Sequence, residues 1–266
     1  MIARQVHAVI AAGLKEPDLL ARWQKEPELL RECGVDPDTI DLEALWKFAG
    51  LTTKVRHNGL RADIPLTFRL LNIAGLEIEV FGAYASFHAV ESFGPTVQQR
   101  IDDLLLFLEQ WLDFDKHEHA ILWDLIRHEV ALARLRPLEI ITDSLNDVCS
   151  TAQSRPHDSS VPRVRGEVIL YEMRSDPRVV ETLLRQKNPR LERVPLGKFY
   201  FCYWRRNTED LFVVELDALG FYLLSTIDGK RSAAELSQLL GAARKVPKGI
   251  LNSLAELAAV GIIAFE

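Results

Sequence analysis

Cysteine is scarce and forms no pattern. Cys33, Cys149 and Cys202 are odd in number, far apart, and include no CxxC pair. That excludes a disulfide framework and a zinc knuckle and leaves them as buried or idle thiols. Long apolar runs are missing as well. Polar residues interrupt the opening Met1-Ile2-Ala3-Arg4-Gln5-Val6-His7 before a secretory core can form, and no later run reaches membrane-spanning length. The expectation is a soluble, cytoplasmic protein that does not engage a membrane. Positive charge is not in excess either: the formal net charge is -6, which argues against a dedicated nucleic-acid binder, because neutralising phosphates requires a basic face. There is no GxSxG, P-loop, GxGxxG or kinase-like signature, and Ser, His and Asp are too scattered to propose a triad. No catalytic residue is nominated. What is present is an ordinary globular composition, 48% hydrophobic and 26% charged, which excludes disorder across the whole chain.

The chain divides near Cys149–Gly166, where CSTAQSRPHDSSVPRVRG has almost nothing to bury between two apolar periodic segments. The expected organisation is a helical domain over 1–149, a linker over 150–166 and a second domain over 167–266. In the first, Val97, Ile101, Leu104, Leu105, Leu108, Trp111 and Leu112 form one helical stripe that can start at Pro95. Another helix is expected from about His117 to Leu135, with shorter ones at Asp18–Lys25, Leu42–Ala49, Leu66–Leu71 and Glu77–Phe87. After the linker the pattern changes to alternation, predicting strands at Glu167–Met173, Lys198–Arg205 and Leu211–Leu216, the last two joined by a polar hairpin connection at 206–210. Three helices follow: about Asp217–Ile227, one capped by Ser232 and Glu235, and one from Pro247 to Gly261. The fold class is therefore α+β: an N-terminal all-α helical domain, then a small winged-helix-like domain of three strands and three helices.

The segment LFVVELDALGFYLLSTIDGKRSAAELSQLL…VPKGILNSLAELAAVGII resembles the peptide-recognition element of pathways that modify ribosomally made peptides (the RiPP recognition element). It is similar in order to the peptide chaperone family of pyrroloquinoline quinone synthesis. Asp228-Gly229-Lys230-Arg231-Ser232, Ala234-Glu235-Leu236 and Gly261-Ile262-Ile263 stand where that family has a turn, a capped helix and a terminal Gly-hydrophobic pair. The match covers about the last quarter of the chain. A helical first domain fused to such an element looks like the partner subunits of multinuclear non-heme iron oxidative enzymes of the 3-thiaglutamate type. That resemblance implies a non-catalytic accessory subunit in a heterodimer with the iron enzyme, holding a precursor peptide whose cysteine is modified. The chain itself would then need no cofactor, since the iron would sit in the partner.

Strand addition is the mechanism expected of such an element: the edge of Leu211, Phe212, Val213, Val214 and Glu215 supplies main-chain donors and acceptors, and the last helix supplies pockets through Leu251, Leu254, Ala255 and Ala258. Lys54, Arg56, His57 and Arg61 are expected to dock an acidic partner. The alternative is a winged-helix DNA-binding regulator with a helical sensor domain, for which the Lys54–Arg61 stretch would be the basic patch. Against it, the last helix carries Lys248 and no Arg, where a major-groove reader needs several long polar side chains.

Two further constellations stand out. His117-Glu118-His119, Asp124 and Arg127-His128-Glu129 form the densest group of metal-capable side chains. At ~1.5 Å per helical residue His117 and His128 are about 16 Å apart, too far to share an ion. Asp124 and His128 could bind a metal only with ligands from another helix, and no metal site is assigned. In Phe199-Tyr200-Phe201-Cys202-Tyr203-Trp204, strand geometry sets Phe199, Phe201 and Tyr203 on one face and Tyr200, Cys202 and Trp204 on the other. Such a strand needs cover on both faces, from the terminal helices on one and from elsewhere in the chain on the other.

Overall fold

The computed structural model describes residues 2–56, 58–87, 96–136, 155–207, 210–241 and 248–265. These residues fall into two compact units, Met1–Asp113 and Phe114–Glu266. Among the described residues, thirteen α-helices and five antiparallel strands make the chain α+β. Among the described residues no helix is long and apolar enough to cross a membrane.

The first unit is entirely helical in its described part: α1 (Ile2–Lys15), α2 (Pro17–Lys25), α3 (Leu29–Glu32), α4 (Leu42–Arg56), α5 (Asn58–Asp63), α6 (Pro65–Ile73), α7 (Glu77–Phe87) and α8 (Val97–Trp111). Its N-terminal core gathers Val9, Leu20, Trp23, Leu30, Val35 and Leu45. Gly13 lets α1 approach closely, since an added Cβ would lie 3.1 Å from the Trp23 ring. A second, aromatic focus stacks Phe68 on Phe81 at 5.1 Å and sets Tyr84 against Phe107 at 5.3 Å. The α8 stripe predicted from the sequence begins at Val97, where Thr96 and Gln99 form a capping box. The start expected at Pro95 lies outside the described residues. α1, α3, α5 and the extension of α4 beyond Ala49 are additional to the helices that the sequence predicts.

The second unit begins with α9 (His117–Leu135), followed by β1 (Pro162–Val164), β2 (Glu167–Ser175), α10 (Pro177–Leu184), β3 (Leu196–Arg205), β4 (Leu211–Leu216), α11 (Ala218–Thr226), α12 (Ala233–Leu239), α13 (Lys248–Val260) and β5 (Ile263–Phe265). Strands β2, β3 and β4 form an antiparallel sheet in that order, and β1 pairs with β5. In the central strand Phe201, Cys202, Tyr203 and Trp204 are all buried, each large side chain contributing roughly 1.5–3 kcal/mol. On one face Phe201, Tyr203 and Met173 pack with Ala131 and Leu135 of α9. On the other, Cys202 and Trp204 pack with Leu223, Leu224, Leu254 and Leu257 of the terminal helices. Gly166, at φ +73, stands where an added Cβ would come within 2.1 Å of the Arg205 carbonyl oxygen, so only glycine fits before β2.

This packing corrects the expected division. The sequence groups α9 with the helices before it, but it packs on β2 and β3, and the boundary between units falls at Asp113/Phe114 rather than in the segment near 149. Part of the expected linker is ordered: Pro162–Val164 pairs with Ile263–Phe265, and Ala233 and Ala234 at the start of α12 donate to the carbonyls of Ser160 and Asp158 at 2.8 and 2.9 Å. Residues 150–154 of that segment lie outside the described residues. The three expected strands are present, with β1 and β5 added. α10 was missed although Asp176-Pro177 is an N-cap followed by Pro at the first helical position.

Leu254 is 0% exposed and belongs to the shared core, whereas Leu251 is only half-buried. Leu254→Ala is expected to cost about 2–5 kcal/mol and Leu251→Ala clearly less, read as a lower midpoint of urea unfolding for the first variant.

Candidate functional site

β4 is the end strand of its sheet. Its residues pair with β3 from Tyr200↔Leu216 to Arg205↔Leu211, and among the described residues no strand lies on its other side. An end strand keeps a row of outward main-chain N–H and C=O groups, which is a ready template for another strand. β4 has no proline and only one charged side chain, Glu215. Alternation divides its side chains between the faces: Phe212, Val214 and Leu216 lie with Cys202 and Trp204, while Leu211, Val213 and Glu215 lie with Phe201 and Tyr203.

On the first face, Phe212 stacks on Trp204 at 5.3 Å yet stays 43% exposed. α11 packs on both β3 and β4. Its N-terminus is fixed by Asp217, whose carboxylate accepts from the Gly220 N–H at 2.6 Å. Tyr200 of β3 meets Phe221 and Tyr222 of α11 at 5.0 and 6.0 Å, which leaves Tyr222 as an exposed aromatic beside the sheet. α13 packs against α11, α12 and β5. Of the four α13 residues expected to line a peptide pocket, Leu254 is core and is withdrawn from that role. Leu251, Ala255 and Ala258 are half-buried, and Leu251 and Ala258 rest on the same core as Val214 and Leu216.

On the second face the edge carries an ion-pair cluster that sequence spacing could not assemble. Arg178 of α10 donates from Nε to Asp176 Oδ1 at 2.9 Å and from Nη2 to Asp176 Oδ2 at 2.7 Å and Glu215 Oε2 at 2.5 Å. Its guanidinium lies 5.0 Å over the Phe201 ring. Burial pushes the Asp176 carboxyl up, but the hydrogen bonds from Arg178 outweigh it and hold the group below the usual carboxylate range.

Behind the same face, α9 is tied to the sheet by polar contacts. Asp124 Oδ2 accepts from the Arg174 and Ser175 N–H groups at 2.8 and 2.7 Å and from Ser175 Oγ at 3.0 Å, while Oδ1 accepts from Arg127 at 2.6 Å. Burial raises the Asp124 carboxyl, and Arg127 and Ser175 oppose that rise. His128 Nδ1 lies 2.8 Å from the Tyr203 hydroxyl. His117 Nε2 lies 3.1 Å from the Leu191 carbonyl. Asp124 and His128 thus meet the sheet while His117 meets the turn at Leu191, and among the described residues no group of three or more His, Cys, Asp or Glu is placed to hold a metal. Cys202 is buried, and its thiol is pushed up to about 12 by desolvation, whereas Cys33 is exposed. Cys149 lies outside the described residues.

Of the expected docking residues, only Arg61 has a described side chain. Arg61 donates to Glu77 at 2.6 Å and lies 4.4 Å over the Phe68 ring, so it is engaged within its own unit. Lys54 and Arg56 lie on α4, their side chains outside the described set, and His57 is outside it altogether.

No protein-family model matches the chain, and no curated protein matches it either.

His128 is 4% exposed, and burial lowers its pKa from the ordinary value; Glu181 and Asp176 offset part of that drop, and Arg178 adds to it. The unfolded chain therefore takes up this proton first. Its contribution to stability is complete above about pH 6.5 and is lost as pH falls from there toward the folded pKa, at up to ~1.4 kcal/mol per pH unit. Urea titrations at pH 7 and pH 5 are expected to show a smaller acid-induced loss for His128→Asn than for the parent chain.

Proposed function

We propose that this chain is a non-catalytic partner subunit that binds a ribosomally made precursor peptide by strand addition and presents its cysteine to an iron-dependent peptide-modifying enzyme. The observation that carries this reading is the edge of β4 that no described strand pairs, on an end strand of a sheet with one face closed by α11, α12 and α13. Three antiparallel strands followed by three helices is the order of a winged-helix-like peptide-recognition element, and the Asp228-Gly229 turn and Ser232 capping box stand between the first two helices. Main-chain pairing along Leu211–Glu215 would supply affinity. Phe212 on the edge itself and the half-buried Leu251, Ala255 and Ala258 of α13 would supply selectivity.

The iron in this reading belongs to the enzyme subunit, so this chain's work is to hold and orient. A peptide paired along β4 in one register has its end at a defined distance from the paired segment. Productive orientation of a substrate segment is itself a large part of a rate enhancement. The DNA-binding alternative draws less support, because α13 carries Lys248 as its one cation alongside Glu256.

The test uses the full chain with a candidate iron enzyme and a candidate precursor peptide, each nominated by the neighbouring genes. Co-elution of the two proteins is expected, with peptide binding read by fluorescence polarisation. Methylating alternate backbone nitrogens of the peptide separates strand addition from other modes. One register is expected to lose more than about tenfold in affinity, as three main-chain hydrogen bonds at ~0.5–1.5 kcal/mol each disappear, while the other register binds as before. Equal loss in both registers, or no binding, overturns the proposal.

A further inference from the structure

The open edge of β4 has one charged feature, and its balance is uneven. Arg178 faces two carboxylates, those of Asp176 and Glu215. Its contacts with Asp176 use both carboxylate oxygens, so the guanidinium is chiefly matched to that buried group, and its reach to Glu215 runs through Nη2 alone. Glu215 has a side chain 48% exposed and engages that guanidinium through Oε2. The three groups together carry one negative charge in excess, at the last-but-one position of the open strand.

The same Arg178 borders a shallow depression on α10 that Val179, Thr182, Leu183 and Gln186 complete. Its lining is mostly apolar, and Val179 is among the exposed large hydrophobics. An added strand sets every second side chain on this face of the sheet. A side chain beside Glu215 would meet a carboxylate in excess, with the apolar depression adjoining it through the shared Arg178. Long aliphatic stems ending in a cation suit both, with the stem on the apolar surface and the head at the carboxylate.

We infer that the β4 edge selects an extended peptide carrying a lysine or arginine at the position that pairs with Glu215. This rests on the strand-addition reading above and goes beyond it by naming a residue class in the bound segment. Opposite charges facing one another across neighbouring strands give a modest preference, about twofold to fivefold in binding, the size of one exposed cross-strand pair.

A displayed library of random dodecapeptides, selected on the full chain, provides the test. Enrichment of Lys and Arg at one position among alternating apolar residues is expected. Resynthesised with norleucine in place of that residue, the selected peptides are expected to bind about twofold to fivefold more weakly. On Glu215→Gln the two versions should bind alike, and Glu215→Lys should select acidic residues at the same position. Enriched peptides without a basic preference, or a preference that survives Glu215→Gln, overturn the inference and leave strand addition standing. A library that yields no binder overturns strand addition and this inference together.

Discussion

Covering both faces of β3 is the constraint on which the second unit depends. Phe199-Tyr200-Phe201-Cys202-Tyr203-Trp204 has no polar face to turn to water, so each side must be closed by another element. The terminal helices close one side through Cys202 and Trp204, and α9 closes the other through Phe201 and Tyr203. Once both closures are in place, the hydrogen-bonding direction of the sheet is the dimension that no described strand extends, and β4 occupies one of its two ends, β2 the other. The candidate site is thus a consequence of the core and not an addition to it.

Polar contacts on the α9 side determine how that closure is held. A carboxylate taken out of water is costly unless donors surround it, and Asp124 receives four. Two of these come from the backbone at the end of β2, which fixes α9 in register with the strand that leads into α10. Arg178, two residues beyond the Asp176 cap, then reaches Glu215 on β4. A chain of contacts from α9 through β2 and α10 therefore arrives at the strand edge, so the side chains flanking that edge are set by the same closure that buries the aromatic strand.

The densest metal-capable stretch of the sequence illustrates how composition and placement differ. His117, Asp124 and His128 lie on one helix, and each is matched to a different part of the second unit: the Leu191 carbonyl, the Ser175 region and the Tyr203 hydroxyl. Their polar groups join the helix to the sheet and to the turn at Leu191. Arg61 shows the same in the first unit, where a cation read as a docking group closes on Glu77 and Phe68.

Local chemistry was enough to place β4, α9 and the capped starts of α11 and α12, because alternation, helical stripes and the Asp217 and Ser232 caps act over a few residues. It also assigned the two faces of β3 and required both to be covered. It could not say that α9 is the cover, since the stripe of a helix names a buried face and not the surface that buries it. The strand at Pro162–Val164 was hidden for a related reason: its partner, Ile263–Phe265, lies about a hundred residues away, and a three-residue pairing has no periodicity of its own. Leu254 and Leu251 read alike in sequence, and only packing made one core and left the other half-exposed. The Arg178–Glu215 bridge joins residues 37 positions apart, a proximity created by the fold alone.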